Sequence, residues 1–118
     1  MKIKVYGYKN CSTCKKAMGF LGKKKCTVDE IDITEQAPTK SELKAMLAHY
    51  GGELKKLFNT SGQVYREMKI SDKLKGMSEA DALTLLASNG RLVKRPFLIV
   101  DGEAAAVGFN ESEWLEAL

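Results

Sequence analysis

The segment from residue 97 to residue 107 constrains the fold most. It reads FLIV, then Asp101-Gly102, then EAAAV. An uninterrupted run of apolar residues is typical of a strand buried on both faces. Asp-Gly between two apolar runs is a typical two-residue hairpin turn. The segment therefore predicts two antiparallel strands, one of them interior, and the rest of the chain must cover both faces of their sheet.

The first third of the chain predicts a strand, a helix and a second strand. In KIKVY at 2–6, Ile3 and Val5 share one face and lysines occupy the other. A helix over 12–21 follows, and CTVDEIDI at 26–33 reads as the next strand. This order predicts two parallel strands joined by a right-handed crossover. The apolar face of the helix consists of Cys14, Ala17, Met18 and Leu21.

Between these two units lies a block of helical segments. Gly51-Gly52 and Asn89-Gly90 mark helix ends. The stretch 53–58 predicts a short helical turn, and 59–74 a loop with short helical pieces. We therefore expect an α/β fold, with a mixed four-stranded sheet flanked by helices, in a single domain spanning 1–118. Three helix starts carry a cap residue with an acidic residue three positions later: Thr39, Ser78 and Asn110.

Composition narrows the function classes. The 118 residues carry a net charge of +4, and the lysines are scattered rather than grouped with aromatic residues. This favours a solvated basic surface over direct nucleic-acid binding. The N-terminus does not resemble a signal peptide, and no apolar run is long enough to span a bilayer. We expect a soluble, cytoplasmic protein with no membrane partner.

Two cysteines in the motif Cys11-Ser-Thr-Cys14 point to thiol chemistry. Cys11 falls at the start of the predicted helix, where unpaired N–H groups and the helix dipole favour an anion such as a thiolate. Lys15 and Lys16 add positive charge, which also lowers the pKa of a thiol. Cys14 begins the apolar stripe and should point inward. An exposed and a shielded thiol one turn apart suit attack followed by resolution.

Two other interpretations of the pair stay open. A structural zinc site needs four ligands, and Cys26 and His49 supply the only further thiol and imidazole, at no recognisable spacing. The pair could also simply pack in the core. The sequence favours redox chemistry over both. Cys26 is interpreted as inert and His49 as a surface residue near a helix end.

Several stretches resemble the arsenate reductase and Spx-type family, which are thioredoxin-fold relatives of glutaredoxin with a helical insertion. They are YGYKNCSTCKKA at 6–17, VKRPFLIV at 93–100 and the closing GFNESEWLEAL. The resemblance implies a thioredoxin-like fold, with the helical insertion between the β-α-β unit and the C-terminal hairpin. It identifies Cys11 as the catalytic cysteine and Cys14 as the second cysteine of redox-switch members. It also implies that Arg95 approaches the catalytic thiol and that the peptide before Pro96 is cis.

The resemblance implies a thiol-dependent reductase that acts on a small oxyanion or a disulfide. Thioredoxin, glutaredoxin or glutathione would supply electrons, and no tightly bound cofactor or metal is implied. Catalysis would use Cys11, Cys14 and Arg95. The predicted substrate contacts are Ser12, Thr13, Lys15, Arg95 and Pro96. We expect the protein to be a monomer.

One feature separates the chain from dedicated arsenate reductases, and another resembles Spx-type regulators. The middle region has only Arg66, and EAAAVGF has no arginine, so we expect weak arsenate binding. Spx-type regulators bind the RNA polymerase α subunit partly through a glycine near the end of the second helix, and Gly51-Gly52 falls near that place. A redox-sensing regulator that binds RNA polymerase is therefore the alternative to a reductase.

Overall fold

A computed structural model of the chain describes residues 2–24 and 27–118. Within them, four strands form one sheet in the order β2-β1-β3-β4. β1 pairs in parallel with β2 and antiparallel with β3, and β3 pairs antiparallel with β4. The predicted mixed four-stranded sheet is confirmed. The strands are β1 (Lys2–Gly7), β2 (Thr27–Asp32), β3 (Phe97–Val100) and β4 (Glu103–Val107).

The N-terminal β-α-β unit has the predicted order. Helix α1 spans Ser12–Gly22 and buries Cys14, Ala17 and Leu21. The predicted start of the second strand at Cys26 lies outside the described residues. The part that is described runs from Thr27 to Asp32 and lies at one edge of the sheet.

The hairpin turn is the one that Asp101-Gly102 predicts. Both residues have positive φ, 51° and 81°, which is the requirement of a type I′ turn. The backbone N–H of Asp101 donates to the Lys2 carbonyl at 2.7 Å, and its carboxylate accepts from the Lys2 N–H at 2.7 Å. These bonds attach the turn to the start of β1.

Most of the remaining helices lie between β2 and β3, as expected. The Thr39 hydroxyl accepts from the Glu42 N–H at 3.1 Å, and the Glu42 carboxylate accepts from the Thr39 N–H at 3.0 Å. The predicted capping box is therefore present. The α-helices are α2 (Lys40–His49), α3 (Gln63–Glu67), α4 (Ile70–Lys73), α5 (Glu79–Ser88) and α6 (Glu111–Ala117), and 3-10 turns cover Leu54–Leu57, Leu74–Gly76 and Gly90–Leu92.

Both faces of the sheet are covered by apolar side chains. Successive residues of β3 point to opposite faces, so Phe97 packs with the helical insertion, while Leu98 packs with α1 and with Trp114 of α6. All four residues of β3 are buried, which explains its uninterrupted apolar sequence. No helix in the described part of the chain is long and apolar enough to cross a membrane.

The segment before Arg95 is tied firmly to the insertion. The Asn59 N–H donates to the Leu92 carbonyl at 2.7 Å, and the Lys94 N–H donates to the Leu57 carbonyl at 2.8 Å. These two bonds flank the isolated bridge between Phe58 and Val93. The backbone that leads to Arg95 is therefore fixed on one side by the insertion and on the other by the sheet.

Gly90 allows the close approach of the helical block to the sheet. A Cβ atom at this position would overlap the backbone carbonyl of Ile33, just after β2. Both elements are buried here, so neither backbone can move away easily. Gly90 therefore has a packing role beyond ending α5.

Candidate functional site

An open cleft of about 860 Å³ lies at one end of the sheet. Its walls come from the first turn of α1, from the insertion between residues 53 and 63, from Lys94 and Arg95, and from the segment 107–113. Cys11 is in the wall formed by α1. Chain segments far apart in sequence therefore meet around one thiol.

Cys11 is the N-cap residue of α1. Its backbone is extended, and its Sγ accepts a hydrogen bond from the Cys14 backbone N–H at 3.3 Å. Its own N–H donates to the Tyr8 carbonyl at 3.1 Å. A sulfur in this position receives one of the N–H groups that a helix start leaves unpaired, and a negative charge strengthens that bond. The half-buried thiol also faces the cleft.

The pKa of Cys11 is lowered from its ordinary value. Burial alone would raise it, but hydrogen bonds from the Cys14 thiol and the Cys14 backbone N–H, together with the hydrogen bond and positive charge of Arg95, outweigh burial. Because the thiolate is the nucleophilic form, these contacts favour attack by Cys11.

Cys14 behaves in the opposite way. Its side chain is 3% exposed, and burial together with the neighbouring Cys11 raises its pKa to about 12. Cys14 therefore keeps its proton and donates it in a hydrogen bond to Cys11. Both thiols are free in this structure.

Arg95 approaches the site from the loop before β3. The Arg95–Pro96 peptide is cis, and the guanidinium lies over the ring of Tyr8, with Cζ 5.0 Å from the ring centroid. This distance is within the range of a cation–π contact. The Asn10 side-chain amide donates to the Tyr8 hydroxyl at 3.3 Å. Tyr8 thus supports Arg95 from one side while Cys11 lies on another.

The other predicted contact residues are distributed unevenly. Thr13 lines the cleft, whereas Ser12 and Lys15 are exposed on the first turn of α1 and do not line it. Pro96 is buried behind Arg95. The roles assigned to Ser12, Thr13 and Lys15 stay predictions. Arg66, the arginine of the middle region, is exposed on α3 and does not line the cleft.

Tyr50 forms the far wall of the cleft. Its hydroxyl donates to the Glu113 carboxylate at 2.5 Å and accepts from the Val107 N–H at 3.0 Å. Burial and the hydrogen bond to Glu113 raise the pKa of Tyr50 to about 12. The hydroxyl thus joins the end of α2 to β4 and α6, and it occupies one carboxylate oxygen of Glu113.

In the described part of the chain, no group of side chains could hold a metal ion. No three side chains of His, Cys, Asp or Glu come together there. His49 lies exposed at the end of α2, and Cys26 lies outside the described ranges.

Comparison with known proteins places this architecture in a family. The sequence profile of the ArsC family matches residues 6–117. The chain belongs to the ArsC family. Cys11, Cys14 and Arg95 lie inside the matched region.

Relatives of this ArsC-family chain include an uncharacterized protein and a transcriptional regulator. It is 48% identical over 116 residues to the uncharacterized protein YusI of Bacillus subtilis, covering 98% of each chain. It is 28% identical over 104 residues to the global transcriptional regulator Spx of Streptococcus pyogenes, covering 88% of this chain and 75% of that protein.

Two solved structures share the fold closely. An ArsC family related protein from Bacteroides fragilis superposes with a TM-score of 0.90 at 42% identity, covering 100% of this chain and 98% of the other. A protein described as a possible arsenate reductase from Streptococcus mutans superposes with a TM-score of 0.88 at 41% identity, covering 97% of each chain. These matches confirm the thioredoxin-like fold and the family resemblance.

Sequence reasoning missed four side chains around this ArsC-family site. Tyr8 lies three residues before Cys11, but nothing in the local pattern shows that its ring meets an arginine more than eighty residues later. Lys55, Lys56 and Lys94 line the cleft, although in the sequence they belong to ordinary basic pairs. The backbone hydrogen bonds between the insertion and the segment before Arg95 bring them to the cleft that Cys11 also lines.

Proposed function

We propose that the chain is a thiol-dependent reductase in which Cys11 attacks a disulfide and Cys14 resolves the intermediate. One observation carries this proposal: the pKa of Cys11 is lowered and that of Cys14 is raised to about 12, while a hydrogen bond joins the two residues at the cleft. Two neighbouring thiols with such different pKa values can act in turn, the thiolate of Cys11 as the first nucleophile and the protonated Cys14 as the acid and second nucleophile.

In the first step, the Cys11 thiolate attacks one sulfur of a substrate R–S–S–R′. A new bond forms between Cys11 and the sulfur of R, the substrate S–S bond breaks, and R′–S⁻ leaves. Arg95 favours the thiolate before attack. The helix start can also accept developing negative charge on a sulfur close to Cys11.

In the second step, Cys14 attacks the Cys11 sulfur. Cys11 is now neutral, so the charge that raises the pKa of Cys14 is gone and only burial opposes ionisation. Cys14 gives its one proton to the departing sulfur of R, so R–SH leaves and a disulfide joins Cys11 to Cys14, while R′–S⁻ takes a proton from solvent. The substrate has gained two electrons, and a thiol reductant such as thioredoxin, glutaredoxin or glutathione returns two electrons to the protein.

Arsenate is expected to be a poor substrate. An oxyanion with two negative charges needs several fixed cations, because each exposed charge pair contributes ~1 kcal/mol or less. Among the residues that the structure describes, Arg95 is the one arginine that lines the cleft, and the three lysines there are exposed. The cleft therefore contains more cations than the sequence suggested. The three lysines are exposed, however, and do not form a fixed site around one small anion.

The proposal is tested by assaying wild type and Cys11→Ser with a mixed disulfide and with arsenate. Each assay is run with glutathione and with a thioredoxin system as the reductant. We expect disulfide turnover with at least one reductant, complete dependence on Cys11, and little arsenate turnover. Absence of disulfide turnover with every reductant would refute the reductase proposal.

A regulator that binds RNA polymerase is the second candidate. It is supported by the similarity to Spx and by the exposed pair Gly51-Gly52 directly after α2, with φ of 71° and 86°. These glycines also end α2, since the Gly52 N–H donates to the Leu47 carbonyl at 2.8 Å. A pull-down with the C-terminal domain of the polymerase α subunit, using oxidised and reduced protein, distinguishes the candidates. Binding by the oxidised form alone would favour the regulator.

A further inference from the structure

The cleft is larger than a small oxyanion requires. Its volume of about 860 Å³ lies in the range of sites that bind drug-sized ligands. The space extends from Cys11 along the insertion to the segment after β4. A substrate that used this space would contact the protein well beyond the reacting sulfur.

The walls offer both apolar surface and hydrogen-bonding groups. The half-buried side chains of Val107 and Phe109 supply apolar surface in the segment after β4, and Phe58 is fully buried beneath the lining. The insertion supplies the polar side chains of Asn59, Thr60, Ser61 and Gln63. An extended peptide needs this combination, because its side chains bury apolar area while its backbone requires hydrogen bonds.

The rim of the cleft is positively charged. Four cations line it, Lys55, Lys56, Lys94 and Arg95, against two carboxylates. One of the carboxylates belongs to Glu113, which already accepts the hydrogen bond from Tyr50. Within residues 2–24 and 27–118 the one ion pair is Lys4–Glu42, outside this cleft. The rim cations are thus not neutralised by neighbouring carboxylates.

We propose that the cleft takes an extended acidic peptide segment whose cysteine carries the disulfide that Cys11 attacks. This inference rests on the proposed reductase function and adds the class of substrate. Lys55 and Lys56, both from the insertion, attract the carboxylates of the segment, and Arg95 remains next to the reacting sulfur. The exchange is the one written above, with R as the acidic peptide and R′ as the thiol that leaves first.

The test uses three synthetic peptides of equal length with one central cysteine, flanked by glutamate, glutamine or lysine. Each cysteine is linked by a disulfide to 2-thiopyridine, so that attack on the peptide sulfur releases a chromophore. Single-turnover rates are measured with reduced protein at low and at high salt. We expect the acidic peptide to react about three- to tenfold faster than the neutral one at low salt, because exposed charge pairs contribute modestly and are screened by salt.

Two double variants distinguish the effect of the lysines in the cleft from the effect of the protein's overall positive charge. Lys55→Gln/Lys56→Gln should reduce the preference for the acidic peptide towards unity. Lys73→Gln/Lys75→Gln removes the same charge from exposed positions of the insertion that do not line the cleft and should keep the preference. Both pairs are exposed, so folding should be unaffected.

The outcomes distinguish a failure of the acidic-peptide inference from a failure of the reductase proposal. Equal rates for all three peptides, or a preference that Lys55→Gln/Lys56→Gln leaves unchanged, would overturn the acidic-peptide inference while leaving the reductase proposal intact. No reaction with any peptide would overturn the reductase proposal itself.

Discussion

The guanidinium of Arg95 lies on the ring of Tyr8, with Cζ 5.0 Å from the ring centroid, and the same guanidinium lowers the pKa of Cys11. The backbone carbonyl of Tyr8 also accepts the N–H of Cys11 at 3.1 Å. Tyr8 is therefore in contact with both members of the charged pair. It is expected to act through Arg95, as a positioning residue.

Replacing the Tyr8 ring should weaken the effect of Arg95 on Cys11. We expect Tyr8→Leu to raise the apparent pKa of Cys11, because the guanidinium loses its support, and Tyr8→Phe to retain most of the wild-type value. The measurement is the rate of iodoacetamide alkylation as a function of pH. In an Arg95→Ala background, Tyr8→Leu should have no further effect. An equal shift with and without Arg95 would contradict this role, and Tyr8→Met gives a second side chain without a ring.

Native folding should make Cys11 more acidic than an unfolded thiol, whose pKa is about 8.5. The pKa of Cys11 is lower in the folded protein than in the unfolded chain, so the thiolate forms at lower pH in the native protein. The alkylation rate of the native protein therefore reaches its plateau at a lower pH. We expect the native protein to reach half-maximal rate at lower pH than the same protein in urea. The double variant Cys14→Ser/Cys26→Ser reports Cys11 alone, although loss of the Cys14 thiol removes part of the shift. Coincident curves would show that the fold does not activate Cys11.

Removing Arg95 should affect disulfide exchange without unfolding the chain. The residue is only half-buried at the cleft, so Arg95→Ala should keep the thermal midpoint near that of wild type. We expect exchange to slow about fivefold, which corresponds to ~1 kcal/mol. Arg95→Lys should restore only part of the rate, because a point charge replaces a planar fork.

The same variants decide the question of substrate. Wild type and Arg95→Ala are assayed side by side with arsenate and with a disulfide. Robust arsenate turnover that is lost with Arg95 would show that the cleft binds oxyanions better than its cations suggest. An exchange rate unchanged by Arg95→Ala would show that Arg95 does not act on Cys11.

Gly90 offers a test of how the helical block meets the sheet. A Cβ there would overlap the Ile33 carbonyl, so Gly90→Ala should lower the free energy of unfolding by at least about 2 kcal/mol. Gly76→Ala is the control, because a Cβ at that position has nothing within 4 Å. The measurement is urea denaturation of both variants. Equal midpoints for the two variants would contradict the tight contact.

Much of the fold could be predicted because its signals are local. The positive φ values at Asp101 and Gly102 follow from residue type, because Asp tolerates the left-handed region and Gly has no Cβ. The Thr39–Glu42 capping box is specified within four residues. The alternation of Phe97 and Leu98 between two core clusters follows from strand geometry. Local chemistry of this kind does not depend on what the distant chain does.

The cleft could be predicted only in part, because most of it is assembled by distant contacts. The place of Cys11 at the helix start is a local feature. The contact of Tyr8 with Arg95 joins residues far apart in the sequence, and the presence of Lys55 and Lys56 in the same cleft as Cys11 depends on how the insertion docks. Gly90 likewise shows no local sign that it packs against Ile33. Family resemblance supplied Arg95, which the local pattern alone would leave as a surface cation.

The order of attack, Cys11 first and Cys14 second, is tested most directly by intact-protein mass spectrometry. Reduced wild type and Cys14→Ser are each mixed with one equivalent of a mixed disulfide. We expect wild type to lose two hydrogens, with a bond within the 11–14 peptide and no lasting adduct. Cys14→Ser should keep one substrate thiol attached to Cys11. An adduct on Cys26, or a wild-type bond between Cys11 and Cys26, would contradict the roles assigned to the two thiols.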